Sequence, residues 1–374
     1  MTTPHPLTSS RAHRGAAVML AGSLLLLGAC QNGGGEPAQS TAPSNAAEYD
    51  QRGPITLVRG KDASGYTAKD VKAWNDANPT EKVTVVELPS EADGQRAALL
   101  QNARVKGTEF SLVRIDAVWT AEFASNGYVD ELTPADFGLD EYLPTTIDTV
   151  TYFDKVYAVP DATGAGLLYY RKDLLEKAGV AAPPKTWQEM KDACAKVKAL
   201  PEASKIDCYG SQFNKYEGLT VNLGEQIASA GGKMSADGKA TVNTPEAKRA
   251  MENLTGMFAD GTIPKRATTW AEEEGRQAFQ NGELVFLRNW AYVYSMAAAD
   301  DGSSKVNGKF DVAPLPGMDG PGTSMLGGNS WAISKFSKNK GTSREFIKFI
   351  NEKERMKQRT IATTAPPPLE SLYN

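Results

Sequence analysis

At 374 residues the chain is long enough for two or three domains with well-buried cores. It carries 41 Lys and Arg against 45 Asp and Glu; Arg11 and Arg14 are the only charged residues before position 30, which leaves 39 basic groups against 45 acidic ones in the remainder. That mildly acidic body gives no electrostatic reason to expect a nucleic-acid partner. Both histidines, His5 and His13, lie in the leading stretch, so whatever removes it leaves a body without an imidazole and excludes His triads, His metal sites and His proton shuttles.

Arg11 and Arg14 form a basic start, followed by an apolar, Leu-rich run from Gly15 to Ala29. The run is shorter than the ~20 residues of a membrane-spanning helix, so residues 1–29 read as an export signal. Leu27-Gly28-Ala29-Cys30 resembles a bacterial lipobox, in which Cys30 is lipidated and becomes the first residue; an ordinary signal peptide with a Cys at its cleavage site is the alternative. Residues 30–53 are rich in Gly, Pro, Ser and Ala with almost nothing large to bury, so they read as a flexible tether, and a globular body is expected from Pro54. Lipidated Cys30 plus this tether would hold the body at the outer face of the cell membrane.

Ile55 to Val58 reads as a strand, Ala68 to Ala77 as a helix with Val71 and Trp74 on one face, ended by Asn78-Pro79. Lys82 to Leu88 returns to strand, Gly94 to Lys106 to helix and Phe110 to Val118 to strand, a rhythm that implies parallel pairing with crossover helices. Thr186-Trp-Gln-Glu189 and Thr269-Trp-Ala-Glu272 have the form of capping boxes, and Thr244-Pro245 that of an N-cap followed by proline. A helix is expected over Glu345 to Arg359, with Phe346 and Ile350 on one face. This many α/β units suits two lobes. Cys194 and Cys208 are an even pair in a compartment that permits oxidation, so a structural disulfide is expected.

Catalytic and cofactor motifs are scarce. The spacing of Gly302, Gly308 and Lys309 does not make a phosphate loop, and neither G-x-S-x-G nor C-x-x-C occurs. No cofactor and no metal is expected. Glu272-Glu273-Glu274 reads as the solvated start of a helix. A glycosidase needs only two suitably spaced carboxylates, and nothing marks a particular pair. What stands out is aromatic residues beside polar ones: Asp116 with Trp119, Tyr216 with Glu217, Trp290 with Tyr292, and Gly327-Gly328-Asn329 before Trp331. Aromatic faces suit the C–H face of a sugar, while carboxylates and amides suit its hydroxyls.

Residues 153–180, FDKVYAVPDATGAGLLYYRKDLLEKAGV, resemble the hinge strand and first second-lobe helix of the carbohydrate-binding proteins of bacterial ABC importers. AFQNGELVFLRNWAY at 278–292, VAPLPGMDG at 312–320 and LGGNSWAISKFS at 326–337 resemble further signatures of that family, in the same order. YEGLTVN at 216–222 and EEEGRQAF at 272–279 are most similar to its trehalose/maltose-type branch. The resemblance implies an α/β, two-lobed periplasmic-binding-protein-like fold, with a ligand cleft between lobes and crossing hinge segments. Residues 54–160 and 312–362 would form one lobe, 161–311 and 363–374 the other.

The resemblance also implies a monomer that captures a di- or oligosaccharide and presents it to ABC permease subunits without catalysis. In that reading Asp116 accepts ligand hydroxyls, Trp290 stacks on a sugar ring, Tyr292 extends the platform, Gly327 and Gly328 let backbone approach the ligand, and Glu217 adds a second carboxylate. Trp119, Asn329 and Trp331 complete the candidate set, with Ser64, Tyr66, Asp161 and Thr163 as weaker candidates. Relatives often place an aromatic directly after the glycine pair and an Asp two positions before the Gly of GLLYY, where this chain has Asn329 and Gly164. Relatives also continue past APPPLESLYN with helices that pack on the second lobe, so the chain reads as cut short there. A secreted glycoside hydrolase and a lipoprotein capturing peptide or another solute are the alternatives.

Overall fold

The computed structural model describes residues 46–373. The export signal, Cys30 and the first part of the tether lie outside the described residues. The end of the expected tether is ordered: Ala46–Asp50 forms a turn of 3-10 helix whose Tyr49 packs on the neighbouring core and donates to Asp130 at 3.2 Å. Lys340, itself buried, bonds Glu48 and lies 2.8 Å from Asp130. The body therefore begins eight residues before Pro54, because Tyr49 and Glu48 find partners that composition alone does not reveal.

The first sheet is built from β1 (Ile55–Gly60), β2 (Val83–Leu88), β3 (Leu112–Asp116), β4 (Val159–Ala165) and, from late in the chain, β9 (Leu326–Ile333), in the order β2-β1-β3-β9-β4. Its first three strands are parallel and β9 runs antiparallel to both neighbours. Helices α1 (Tyr66–Ala77) and α2 (Ala92–Arg104) are the expected crossovers. Val71 and Trp74 are buried as their spacing requires; Trp74 meets Phe346 and Phe349 edge-on at 5.3 Å each and donates its indole N–H to the Glu81 carbonyl at 2.7 Å.

The second sheet has the order β8-β5-β7-β6, from β5 (Leu167–Tyr170), β6 (Asp207–Gly210), β7 (Leu284–Asn289) and β8 (Asp311–Ala313). Every residue of β7 is buried, as expected of a central strand covered on both faces. Around it lie α3 (Trp187–Lys198), α4 (Glu217–Ser229), α5 (Pro245–Ala259), α6 (Glu272–Gln280) and the short α7 (Val293–Ala297). Thr186 and Glu189 form the capping box of α3, and Thr244 caps α5. The box expected at Thr269 is absent: α6 starts at Glu272 after Ala271, whose N–H donates to Glu274, while Thr269 bonds the Arg266 carbonyl. Burial of Trp270, whose carbonyl accepts from Phe213 and Asn214, fixes that entry.

Two chain crossings and one side contact join the sheets. Gly166 alone separates β4 from β5, residues 314–325 lead from β8 to β9, and Thr363-Thr364 reaches across to α7, where Thr364 accepts from the Ser295 N–H and donates to Ala291 O. Three expected boundaries move. Residues 161–165 belong to the first sheet, because β4 runs to Ala165 and pairs with β9. Residues 312 and 313 belong to the second sheet, because β8 pairs with β5. The tail after Thr364 returns to the first lobe, where Leu143 N–H donates to Pro368 O and Leu369 joins the core. The helix expected over 345–359 is two, α8 (Lys340–Ile350) and α9 (Lys353–Thr363), broken at Asn351, whose amide donates to Pro160 O in β4 at 3.1 Å.

Cys194 of α3 is bonded to Cys208 of β6 within the second core, across a sequence separation of 14. A loop of that length is constrained in the unfolded chain, so reduction should cost about 2–4 kcal/mol. Urea titrations with and without reductant, followed on the protein and on Cys194→Ser, should show that loss; superimposable curves would remove the bond from the stability of the second lobe.

Candidate functional site

The first lobe offers the cleft the C-terminal end of β3. There Asp116 pairs in register with Asn329 of β9, and its carboxylate accepts from the Val118 N–H at 3.2 Å. Burial raises its pKa, with that N–H and Arg114 opposing. Across the cleft, α4 begins at Glu217 and α6 at Glu272. Glu217 is pushed up to about 7, first by burial, then by the negative charges of Asp116 from the other lobe and Glu272 from its own. Glu272 is also raised by burial, against the opposing influence of Tyr216, Arg288 and Trp290. The Tyr216 hydroxyl is buried without a well-formed hydrogen bond among the described residues, and burial and Glu272 hold it neutral. Three carboxyl groups from two lobes thus face one region without an ion-pair partner among the described residues.

Trp290 follows β7 and is half-buried. Its backbone is pinned by the Tyr169 hydroxyl, which donates to its carbonyl at 2.8 Å, and by the Asn289 side chain, which accepts from its N–H at 2.8 Å. The Arg288 guanidinium lies over the ring, 4.1 Å from its centroid. Tyr292 donates to Glu273 at 2.7 Å; burial and that carboxylate raise the phenol far above its usual range. Burial alone would raise Glu273, but bonds from Arg276 and Tyr292 outweigh it and hold the carboxyl low, helped by Lys61 of the first lobe.

Asp116, Glu217, Trp290, Tyr292, Gly327 and Asn329 are therefore brought to one region, and several other candidates are not. Trp119 and Trp331 are buried in the first core, 5% and 3% exposed, with the Arg114 guanidinium over the Trp331 ring, so neither has a free face. Asp161 is consumed by Arg114 at 2.8 Å and Arg359 at 2.9 Å. Ser64 donates to Asp62 and accepts from the Tyr66 N–H at the entry to α1, while Lys69 covers the Tyr66 ring. Thr163 holds the crossing, its N–H donating to Pro366 O.

The glycine pair also has a different use. A Cβ at Gly327 would come within 2.8 Å of Trp290, and one at Gly328 within 2.5 Å of the Ala162 carbonyl. Their absent side chains make room for the platform and for β4. Sequence reasoning missed Glu272 and Glu273, taken for a solvated helix start, and Arg288, hidden in an apolar strand. A lone Arg within LVFLRN was the available signal. Among the described residues no group of three or more His, Cys, Asp or Glu is placed to hold a metal ion.

Residues 69–374 match the family profile described as bacterial extracellular solute-binding protein. The chain belongs to that family. A Deinococcus radiodurans member, named a probable ABC transporter-binding protein, is 33% identical over 336 residues, covering 87% of this chain and 79% of that protein. Among solved structures, maltose-bound T. maritima MalE3 superposes with a TM-score of 0.81 at 32% identity, covering 86% of this chain and 83% of the other. An ABC transporter solute-binding protein of Thermotoga lettingae, bound with α-D-tagatose, shares the fold at a TM-score of 0.77 and 23% identity, over 86% and 82% of the two chains. The two-lobed α/β architecture expected from the sequence is that of this solute-binding family.

A raised Glu217 binds a proton more tightly in the folded than in the unfolded chain, so its penalty is absent below pH 4.5 and grows as pH rises toward about 7. Glu217→Gln should match the parent's stability near pH 4 and exceed it by ~1–2 kcal/mol at pH 8, after allowance for solvent screening. Denaturant midpoints at the two pH values test this; a difference that does not vary with pH would contradict it.

Proposed function

We propose that this solute-binding protein captures a di- or oligosaccharide in its interlobe cleft and presents it to the membrane subunits of an ABC importer, working as a monomer anchored through lipidated Cys30 at the outer face of the membrane. The observation that carries the reading is a half-buried Trp290 on the second lobe beside unpaired carboxyl groups contributed by both lobes, Asp116 from one and Glu217 and Glu272 from the other. The maltose named for the T. maritima structure supports the same ligand class. Trp290 would stack on a ring, Asp116, Glu217 and Glu272 would take its hydroxyls, Tyr292 would extend the apolar platform, and the Asn329 amide stands next to Asp116.

Hydrogen bonds contribute only ~0.5–1.5 kcal/mol net each, and micromolar affinity needs about 8 kcal/mol, so contacts must come from both lobes at once. Only the closed form can make them, and that differential affinity is what shifts the population toward closure. Binding without hydrolysis is favoured over a glycosidase. What supports binding over catalysis is the match of residues 69–374 to the extracellular solute-binding family.

A thermal-shift screen of mono- and disaccharides, with polyols and peptides as controls, should find a stabilising sugar; at a hundred times its Kd the gain is about 2.7 kcal/mol. Trp290→Ala should weaken that sugar at least about tenfold by calorimetry with the melting curve otherwise intact. Unchanged affinity takes Trp290 out of the site, and sugar recovered in cleaved form points to the hydrolase. Separately, Cys30→Ala should move the protein from the membrane to the soluble fraction; retention on membranes would contradict lipid anchoring.

A further inference from the structure

Beneath the platform lies a buried ion pair that the ligand would not touch. Arg288, 1% exposed, donates through Nε and Nη2 to the two oxygens of Glu225 at 2.8 and 2.5 Å, and through Nη1 to Gln212 at 3.0 Å. Glu225 stands two turns along α4 from Glu217. The same carboxylate accepts from the Ser324 hydroxyl at 3.0 Å and the Met325 N–H at 3.2 Å, both in the second crossing. Ser324 in turn accepts from the N–H of Gly166, the single residue of the first crossing, at 2.6 Å. Gly166 packs so closely that a Cβ there would come within 2.6 Å of the Arg288 guanidinium.

We infer that the Arg288–Glu225 pair is a positioning device that ties the Trp290 platform and α4 to both of these crossings, so that occupation of the platform and bending of the hinge are one event. The guanidinium fixes the ring from one side, and its partner carboxylate fixes the two backbone segments about which the lobes must turn. A pair serving stability alone would need neither the stacked ring nor the hinge N–H groups. Fork geometry satisfies three demands at once, two carboxylate bonds, one amide bond and a flat face for the ring, which lysine cannot do. The inference rests on the sugar-capture reading for its functional consequence, though not for the network itself.

Two measurements separate those layers. In the ligand-free protein, hydrogen exchange should show the Gly166 and Met325 amides of Glu225→Gln opening at least tenfold faster, with Tyr169 and Leu287 in the neighbouring strands retaining protection. With maltose as the probe, Glu225→Gln should bind about tenfold more weakly and show a smaller small-angle-scattering change at saturation. A role confined to stability would lower the melting temperature and leave that saturated change whole. If Glu225→Gln does not fold, Ser324→Ala, which keeps the ion pair, should still speed exchange at Gly166 and shrink the change on maltose. Unaltered exchange at both crossings, or full closure of either variant at saturating maltose, overturns the inference. If the parent protein does not respond to maltose, the ligand reading is what fails for that sugar, and the exchange result alone decides the network.

Discussion

A chain that passes from one sheet to another through a single residue has no slack to absorb misplacement, and Gly166 is that residue here. Its backbone fills the space next to Arg288 that any side chain would need. The hinge and the floor of the cleft are consequently built from neighbouring atoms. Asp116 lies opposite Asn329, Gly327 opposite Gly164, and Trp290 comes directly after the strand that carries Arg288. Asp116, Trp290, Gly327 and Asn329 lie at or next to strand ends, while Glu217 and Glu272 open helices, so under the proposed reading small rotations about the crossings would change distances between lobes without disturbing either core.

The molecule treats its buried and half-buried acids in two ways. Asp161, in β4, is fully paired, with Arg114 on one side and Arg359 on the other, and the arginines outweigh the burial that would otherwise raise it. Glu225 is likewise paired. Removing a charge from water is costly, and pairing is the usual remedy. Asp116, Glu217 and Glu272 are denied that remedy, although arginines stand close by. Half-buried carboxyl groups without an ion-pair partner among the described residues are a feature of places where something else supplies their hydrogen bonds. Under the proposed reading, that contrast within one chain separates residues that hold the structure from residues that would meet a ligand.

Sequence periodicity was enough for the first lobe's alternation of strands and helices, because Val71, Trp74 and the run from Val83 to Leu88 are decided by local burial. Thr186 and Glu189 were equally legible, since a capping box is complete within four residues. Thr269 failed the same test because the buried Trp270 next to it, a tertiary feature, sets where α6 begins. The tryptophans show the limit most clearly. Trp119, Trp290 and Trp331 all occur beside polar residues near strand ends, yet only Trp290 keeps a partly open face. Which face a strand-end residue presents depends on pairing partners far away in sequence: Trp331 lies opposite Arg114 and Val159, and its alternation points it into the first core. The acidic start of α6 was misread for the same reason, since solvent is the default neighbour of three glutamates until another lobe is placed opposite them.

The raised carboxyl groups also bear on the kind of molecule the cleft accommodates under the proposed reading. A ligand bearing its own carboxylate or phosphate would meet Asp116, Glu217 and Glu272 as like charges in a region where burial weakens screening. A neutral polyhydroxylated ligand meets no such penalty. Glu217, poised at about 7, can accept from a ligand hydroxyl when ionised and donate to one when protonated, and a hydroxyl is the partner that serves in either role. Under the proposed reading a hydroxyl can serve that acid in either state, and the flat ring of Trp290, backed by the Arg288 guanidinium, supplies the apolar contact that a sugar also needs.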